Sequence, residues 1–443
     1  MDAIEKRIVD LWEVREHYFG IDGKEKEEII AVEIKEIVDA LKEVQQAQQK
    51  MCSTDRARLA YLNGRALDSS SGYNNQAEEA LCRAVKLAPE AVEAWNALGH
   101  VLWKKGAIEA AKDCFESGLN ARANAIGHRY LSMVIRIGTG DMLTQKNQAI
   151  QHARSAVELQ IDNPDNWYAL GNCYVARYFD AAGGRNGADL QHATRVYARA
   201  EILYDNFSTK KRKNEIIAKC TKTNLVFGNP DLYFNRGHLR KYIEAYHLAA
   251  TDFNKAHSLD QALKANDLEE DCSRWTKRIS ELVKKKAQLK PKKKKELVDK
   301  LIHLSQDNFI TIDSLPIATD SLAGFLSAPS SSYEDKKCII AVIALELRRD
   351  TPDVFLAAVH NPINPQDPHF ITLSFFDADT KALVPGTALF IREPTRFHVA
   401  QHDDDDSSCG YDALRIVHAP SCLLEGQTPL QTTFQAVSTG KML

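Results

Sequence analysis

The sequence predicts a two-part chain in which an α-helical repeat solenoid precedes a small all-β domain. Large and small apolar residues recur at fixed helical spacing through the first half of the chain. A lysine-rich run follows, and short apolar runs separated by proline and glycine then continue toward the C-terminus. This change of pattern places the start of the β domain near residue 306.

The clearest helical repeat occupies residues 76–120. Its large and small residues have the spacing of a tetratricopeptide repeat: Trp95, Leu98, Gly99 and Leu102 in the first helix, then Ala111, Phe115 and Gly118 in the second. Further copies lie at residues 167–200 and 237–256. Because one unit cannot bury its own apolar face, several must stack. We therefore predict a tetratricopeptide repeat domain over residues 51–283, in preference to an ordinary helical bundle.

Residues 1–50 carry apolar side chains at every third or fourth position, in two stretches around a turn at residues 21–24. This periodicity predicts two amphipathic helices. Repeat arrays need a polar outer face at their ends, so we interpret residues 1–50 as an N-terminal helical cap. A dimerising coiled coil is the alternative, which the interruption at Gly20 disfavours.

The concave face of the repeats is the candidate ligand site. Residues one position beyond the helix-sealing residues are rotated by about 100 degrees and should face this groove. The predicted peptide-binding residues are polar or aromatic: Asn96, Trp103, Arg136, Asp165, Asn172, Asp231 and Asn235. Asparagine can pair with peptide backbone, aspartate with a basic residue and arginine with an acidic one. For each residue alone the alternative is a solvated helix face, but their joint placement favours an extended peptide.

Lysines are concentrated in residues 284–305, among them Lys290, Lys292, Lys293, Lys294 and Lys295. Charge of this density repels itself and stays exposed unless it meets a polyanion. We interpret the segment as a basic linker helix that binds RNA in a salt-dependent manner, with a solvated linker as the alternative. A second basic cluster, at residues 210–213, is either a nuclear import signal or a solvated loop.

Six short apolar runs predict the strands of the C-terminal domain, at residues 309–312, 338–347, 354–359, 370–376, 388–391 and 414–417. Proline and glycine separate the runs, as expected of strands joined by turns. Their number and length predict a five-stranded barrel of the OB type over residues 306–443.

Composition excludes several classes of function. The formal net charge of -3 favours neither nucleic acid nor membrane as a partner of the whole chain. No stretch approaches the roughly 20 apolar residues that span a membrane, and the N-terminus lacks the apolar core of a signal peptide. Nine cysteines occur singly, which predicts reduced thiols and no metal site. Phosphate-loop, zinc-protease and nucleophile-elbow motifs are absent, so we expect no catalytic residues, no cofactor and no enzymatic activity.

Five segments resemble the tetratricopeptide repeat protein five family, also called Strap. They are AVKLAPEAVEAWNALGHVLWKKGAIEAAKDCF, YLSMVIR, NWYALGNCYVARYF, GNPDLYFNRG and PGTALFIREP. The similarity extends in the same order along nearly the whole chain. That family has helical repeats followed by an OB fold, which agrees with the organisation predicted above.

The resemblance implies an adaptor that recognises the N-terminal peptide of nascent α- and β-tubulin at the ribosome and promotes degradation of tubulin mRNA. By this resemblance Arg136 contacts the glutamate and Asp231 the arginine of a Met-Arg-Glu start, and the lysine run faces ribosomal RNA. The implied partners are nascent tubulin, the ribosome and an mRNA-decay effector, in the cytoplasm.

Two other functions stay open from the sequence. The resembled family is also described as a nuclear stress-response cofactor that binds an acetyltransferase, which implies acetyltransferase partners and a nuclear pool. A co-chaperone adaptor is the third class; Asn96 disfavours it because chaperone-binding repeats use lysine at that position.

Overall fold

The computed structural model describes residues 1–19, 23–47, 51–138, 142–179, 185–209, 226–304, 310–318, 322, 325, 338–348, 352–392, 394–400, 410–417, 419–424 and 428–431. The chain divides into two compact units. The first unit comprises residues 1–183, 192–233 and 255–263, and the second comprises residues 184–191, 234–254 and 264–443. The basic cluster at residues 210–213 lies outside the described residues.

The first unit is helical. Its helices are α1 (Asp2–His17), α2 (Gly23–Ala47), α3 (Ser53–Leu67), α4 (Asn75–Leu87), α5 (Val92–Lys104), α6 (Ile108–Ala121), α7 (Ala125–Ile137), α8 (Met142–Leu159), α9 (Pro164–Phe179) and α10 (Gly187–Thr209), the last of which begins in the second unit. Helices α11 (Pro230–Tyr242) and α12 (Tyr246–Leu259) are divided between the units. Two short strands, β1 (Tyr18–Phe19) and β2 (Val226–Phe227), pair antiparallel.

Paired helices meet through a glycine on one helix and an aromatic ring on the other. A Cβ atom added to Gly99 would lie 2.6 Å from Cε1 of Phe115, and one added to Gly171 would lie 2.4 Å from Cε1 of Tyr197. Such distances leave no room for a side chain, so the backbones can approach only at glycine. The same contact recurs in the second unit between Gly237 and Phe253, at 2.7 Å. This recurrence confirms the predicted tetratricopeptide repeat solenoid.

Tryptophans at equivalent repeat positions hold the turn that precedes each first helix. The indole Nε1 of Trp95 donates to the carbonyl oxygen of Pro89 at 2.7 Å, and that of Trp167 donates to Ile161 at 2.7 Å. Each bond satisfies a carbonyl of the turn, which lies beyond the end of the preceding helix. The sequence spacing predicted sealing residues here, and the structure adds this bond to the turn.

The second unit contains helices α13 (Ala265–Lys284) and α14 (Pro291–Leu304) and one mixed sheet. Its strands are β3 (Ile317–Ala318), β4 (Cys338–Arg348), β5 (Asp353–Val359), β6 (His369–Phe375), β7 (Ala388–Arg392), β8 (Thr395–Ala400), β9 (Gly410–Ile416), β10 (Cys422–Leu424) and β11 (Thr428–Pro429). The described strands follow the order β11-β10-β7-β4-β5-β6-β9-β8-β3. The β6–β9 and β3–β8 pairs are parallel and the others antiparallel.

Side chains of the long strand β4 alternate between two cores, as the two-residue period of a strand requires. Ile339 and Ile343 belong to a core formed with β5, β6, β7 and β9. Ile340 and Val342 face a second core, which includes Leu297 of α14. Burial on both sheet faces explains why β4 is a continuous apolar run in the sequence.

The predicted five-stranded OB barrel is not shown. The nine described strands form one sheet, and its end strands β11 and β3 each pair with a single neighbour among the described residues, so the described pairings do not close a barrel. The strand predicted at 309–312 is wrong in its described part, because residues 312–314 form a 3-10 turn. Strand β8 (TRFHVA) was missed because its apolar residues alternate with polar ones, whereas the prediction looked for continuous runs.

In the part of the chain that the structure describes, no helix combines the length and the apolar character needed to cross a bilayer.

Candidate functional site

Arg136 is the most unusual of the predicted groove residues. It lies in the last turn of α7, is only 5% exposed, and its Nε and Nη1 have no hydrogen-bond partner among the described residues. A buried guanidinium without an anion is costly, since its lost hydration is not replaced. A carboxylate supplied by a ligand would make charge-assisted and potentially bidentate hydrogen bonds to it.

Asp231 is the second groove residue for which the described part of the chain shows no ion-pair partner. It lies in the first turn of α11, its side chain is exposed, and no lysine, arginine or histidine in the described residues pairs with it. Reduced hydration by the surrounding protein raises the pKa of Asp231 above its ordinary value, and the negative charges of Asp260 and Glu16 raise it further. This acidic neighbourhood favours a ligand that brings a positive charge.

Tyr168 links these two charges. Burial raises the pKa of the Tyr168 hydroxyl, the negative charge of Asp231 raises it further, and the positive charge of Arg136 opposes both. Tyr168 therefore lies within electrostatic range of both residues. One acidic and one basic side chain consequently occur in a single part of the first unit.

The carboxylate of Asp165 already has partners within the fold. Its carboxylate accepts from Nη1 of Arg129 at 2.9 Å, lies 3.5 Å from Nε2 of His17, and accepts from the hydroxyl of Tyr204. Burial tends to raise the pKa of Asp165, but the charges of His17 and Arg129 and its hydrogen bonds lower it below the ordinary value. The structure therefore places Asp165 in an existing ion-pair network.

The predicted asparagines are buried rather than presented on an open wall. Asn96 donates from Nδ2 to Oδ1 of Asn124 at 2.8 Å, and Asn124 in turn caps the start of α7. Asn172 accepts from the hydroxyl of Tyr197 at 2.6 Å. Asn235, one helical turn after Asp231 in sequence, is 7% exposed.

Trp103 is half-buried and belongs to an aromatic cluster. Its ring meets those of His100 and Tyr130 edge-on, at centroid distances of 6.5 and 6.2 Å. This cluster offers an apolar contact surface beside the polar groove residues. His100 is fixed by Oδ2 of the buried Asp68, 2.7 Å from its Nδ1.

Helix α1 contributes contacts that the sequence prediction missed. Trp12 packs edge-on against His100 of α5 at a centroid distance of 5.3 Å, and His17 approaches Asp165 of α9. Residues 1–50 were interpreted as a cap over the end of the repeats, yet α1 reaches side chains of α5 and α9. No periodicity argument could reveal this, because the amphipathic pattern shows only that one face of α1 is buried.

The lysine run of the second unit is divided between paired and exposed residues. Lys286 and Lys294 both donate to the carboxylate of Asp367, the latter at 3.2 Å. Hydrogen bonds from Lys286 and then Lys294 lower the pKa of Asp367. The other predicted RNA-binding lysines are exposed: Lys290, Lys292, Lys293 and Lys295. Among the described residues, Lys294 therefore has a carboxylate partner, and none is seen for these four lysines.

The paired helices and their glycine-aromatic contacts define a tetratricopeptide repeat protein with a C-terminal mixed sheet. The sequence profile of the tetratricopeptide repeat matches residues 92–124, which include α5 and α6. The class of protein is thus a helical-repeat scaffold of the kind used for protein interactions.

Full-length relatives make the relationship more specific. The chain is 27% identical over 454 residues to tetratricopeptide repeat protein 5 of Homo sapiens, covering 99% of this chain and 96% of that protein. It is 27% identical over 461 residues to the Bos taurus protein of the same name, with coverage of 99% and 96%. Among solved structures, it is similar to the APC/C hetero-tetramer Cut9-Hcn1, with a TM-score of 0.39, 15% identity, and coverage of 53% of this chain and 39% of that chain. The predicted resemblance to tetratricopeptide repeat protein five is confirmed.

Proposed function

We propose that this chain is a non-catalytic, ribosome-associated adaptor that recognises the N-terminal peptide of nascent α- and β-tubulin and promotes degradation of tubulin mRNA. The observation that carries the proposal is the buried guanidinium of Arg136, whose Nε and Nη1 have no hydrogen-bond partner in the part of the chain that the structure describes. Burying such a group has a cost that a ligand carboxylate would offset. The family resemblance supplies the identity of the ligand.

The charges of the groove match a Met-Arg-Glu start. Arg136 would receive the ligand glutamate, and Asp231 would receive the ligand arginine, with Asp260 and Glu16 increasing the local negative potential. Trp103 offers an apolar surface for the neighbouring ligand side chains. Asp165, Asn96 and Asn172 would support the groove through the partners they already hold.

The lysine run would dock the adaptor on ribosomal RNA. Lys290, Lys292, Lys293 and Lys295 are exposed and suited to phosphate contacts, whereas Lys294 is held by Asp367. In this proposal residues 1–50 form a cap, residues 51–283 the repeat domain, residues 284–305 the basic linker and residues 306–443 an OB-type domain. An mRNA-decay effector would bind elsewhere on the chain, and the complex would act in the cytoplasm.

A peptide titration tests the proposal. The purified chain is titrated with a fluorescent Met-Arg-Glu-Ile peptide and, in parallel, with the charge-reversed Met-Glu-Arg-Ile. We expect saturable binding of the first peptide only, because the reversed peptide would bring each charge against a like charge. Equal binding of both peptides, or binding of neither, would contradict recognition by Arg136 and Asp231.

A further inference from the structure

A second concave surface lies in the first unit, between α1 and the turn that joins α8 to α9. It encloses 640 Å³, within the range of sites that hold small ligands and short peptide segments. We call this surface the α1 pocket. It is lined by Val9, Trp12, Glu13, Glu16, His17, Arg65, Arg129, Tyr130, residues 158–165, Phe207 and Phe227. Neither Arg136 nor Asp231 belongs to this lining.

Apolar side chains in the α1 pocket are left unusually exposed. Val9 is 61% exposed, Leu159 49% and Ile161 56%. The rings of Trp12 and Tyr130 also line the pocket. A single exposed apolar side chain is ordinary, but a group of them within one concavity is typical of a protein-interaction site.

Two of the acidic side chains that line the pocket have no partner among the described residues. Glu158 and Asp162 have no hydrogen-bond or ion-pair partner among the described residues. Within the described part of the chain, Glu16 forms an ion pair with its sequence neighbour Arg15, whose Nε lies 3.3 Å from Oε1 of Glu16. These carboxylates would repel phosphate and attract a basic side chain.

The basic side chains of the pocket are already engaged within the fold. Arg129 donates to Asp165 at 2.9 Å. The Cζ atom of Arg65 lies 3.3 Å from the ring centroid of Trp12, and its Nη1 lies 3.6 Å from Oδ2 of Asp68. The charge that the pocket presents to a ligand is therefore negative.

The wall formed by α1 is fixed in place. The indole of Trp12 donates to the carbonyl oxygen of Arg65 at 3.0 Å, and Nη1 of Arg15 donates to that of Asp68 at 2.6 Å. The β1–β2 pairing holds the end of the same segment. Because the pocket is formed before a ligand arrives, binding needs little ordering of the protein.

We propose that the α1 pocket binds an internal basic-apolar segment of a partner protein. Apolar side chains of that segment pack on Val9, Leu159 and Ile161, and its lysine or arginine pairs with Glu158 and Asp162. The α1 pocket shares Asp165 with the proposed groove residues and includes Glu16, but it contains neither Arg136 nor Asp231, and its lining does not require a free terminal ammonium group.

The test uses the full chain and a labelled acetyl-Leu-Arg-Ile-Arg-Leu-amide peptide, whose acetyl group removes the terminal charge. Two variants alter the pocket: Glu158→Gln with Asp162→Asn, and Val9→Lys. A matched control, Glu90→Gln with Glu109→Gln, removes two exposed carboxylates outside the pocket. A peptide with glutamate in place of arginine reports on charge preference. Circular dichroism verifies that every variant is folded.

We expect saturable binding of the arginine peptide to the wild-type chain and to the control variant. Loss of two partly exposed ion pairs should weaken binding about three- to tenfold in the double variant. The lysine in Val9→Lys should weaken it roughly tenfold or more, because it removes an apolar contact and repels the peptide. No saturable binding by the wild-type chain, equal affinity in pocket and control variants, or equal binding of the glutamate peptide would overturn the proposal.

Discussion

Replacement of Arg136 by methionine should stabilise the free protein and weaken its peptide binding. The Nε and Nη1 atoms of this 5%-exposed side chain have no partner among the described residues. An unsatisfied buried polar group costs about 1–3 kcal/mol, and methionine fills a similar volume without that cost. We therefore expect Arg136→Met to unfold with a free energy higher by about 1–2 kcal/mol. Affinity for Met-Arg-Glu-Ile should fall about 10- to 100-fold, since a charge-assisted hydrogen bond is lost.

Arg129→Met is the matched control for this experiment. Arg129 also lies in α7, but it donates to Asp165 at 2.9 Å. Its removal leaves the Asp165 carboxylate with fewer partners, so this variant should be destabilised by roughly 1–3 kcal/mol. Urea denaturation followed by tryptophan fluorescence, with and without peptide, measures both effects. If Arg136→Met were as destabilising as Arg129→Met, or bound peptide normally, Arg136 would not be an unpaired ligand-binding cation.

Four further outcomes are expected. Because the pKa of Asp231 is raised, affinity for the arginine-containing peptide should fall as pH falls through that raised value, and Asp231→Asn should remove this dependence in a fluorescence titration. Lys292→Glu combined with Lys293→Glu should lower ribosome co-sedimentation and reduce the slope of log affinity against log salt by roughly 2. Gly99→Ala should lower the unfolding free energy by about 1–3 kcal/mol, through overpacking seen in thermal melts. Burial lowers the pKa of Lys26 from 10.5 to about 8 in the folded protein. Between pH 8 and 10 the unfolded chain therefore binds more protons than the folded one, so the free energy of unfolding should rise with pH in this range. The rise should be smaller in Lys26→Met.

The helical repeats could be predicted because their contacts follow local spacing. Gly99 and Phe115 occupy fixed positions in one repeat, and Gly171 and Tyr197 repeat the arrangement. Each contact joins helices adjacent in sequence, so a single stretch of chain contains both partners. The spacing alone therefore predicts which residues must be small.

The sheet was predicted less completely because its pairing is not local. Strand β6 pairs with β9 across about 40 intervening residues, and strands of two or three residues such as β3 and β10 carry little periodicity. The buried runs of β4 and β5 were nevertheless found, since strands buried on both faces are continuously apolar. Which strands neighbour one another is decided by packing that the local pattern does not encode.

The contacts of single groove residues were also not predictable from the local sequence pattern. Helical geometry predicts a set of inward-facing polar side chains, but it does not predict which of them form hydrogen bonds or ion pairs within the fold. Arg129 donates to Asp165, and Asn96 donates to Asn124. The partners in each pair lie far apart in the sequence, so the sequence does not indicate either contact. Arg136 and Asp231 show no such partner among the described residues.

Groove residues that already have partners are suited to support the groove, whereas charged residues without partners are suited to bind a ligand. A polar group that already has its hydrogen-bond partner gains little from a ligand, because the ligand must displace a bond as good as the one it offers. A buried or poorly hydrated charge without a partner gains the full interaction, and it also penalises a ligand of the wrong sign. Arg136 and Asp231 carry opposite charges, and both act on Tyr168. A ligand with adjacent basic and acidic residues would therefore bind in one orientation, and reversing those two residues should cost more than neutralising either of them.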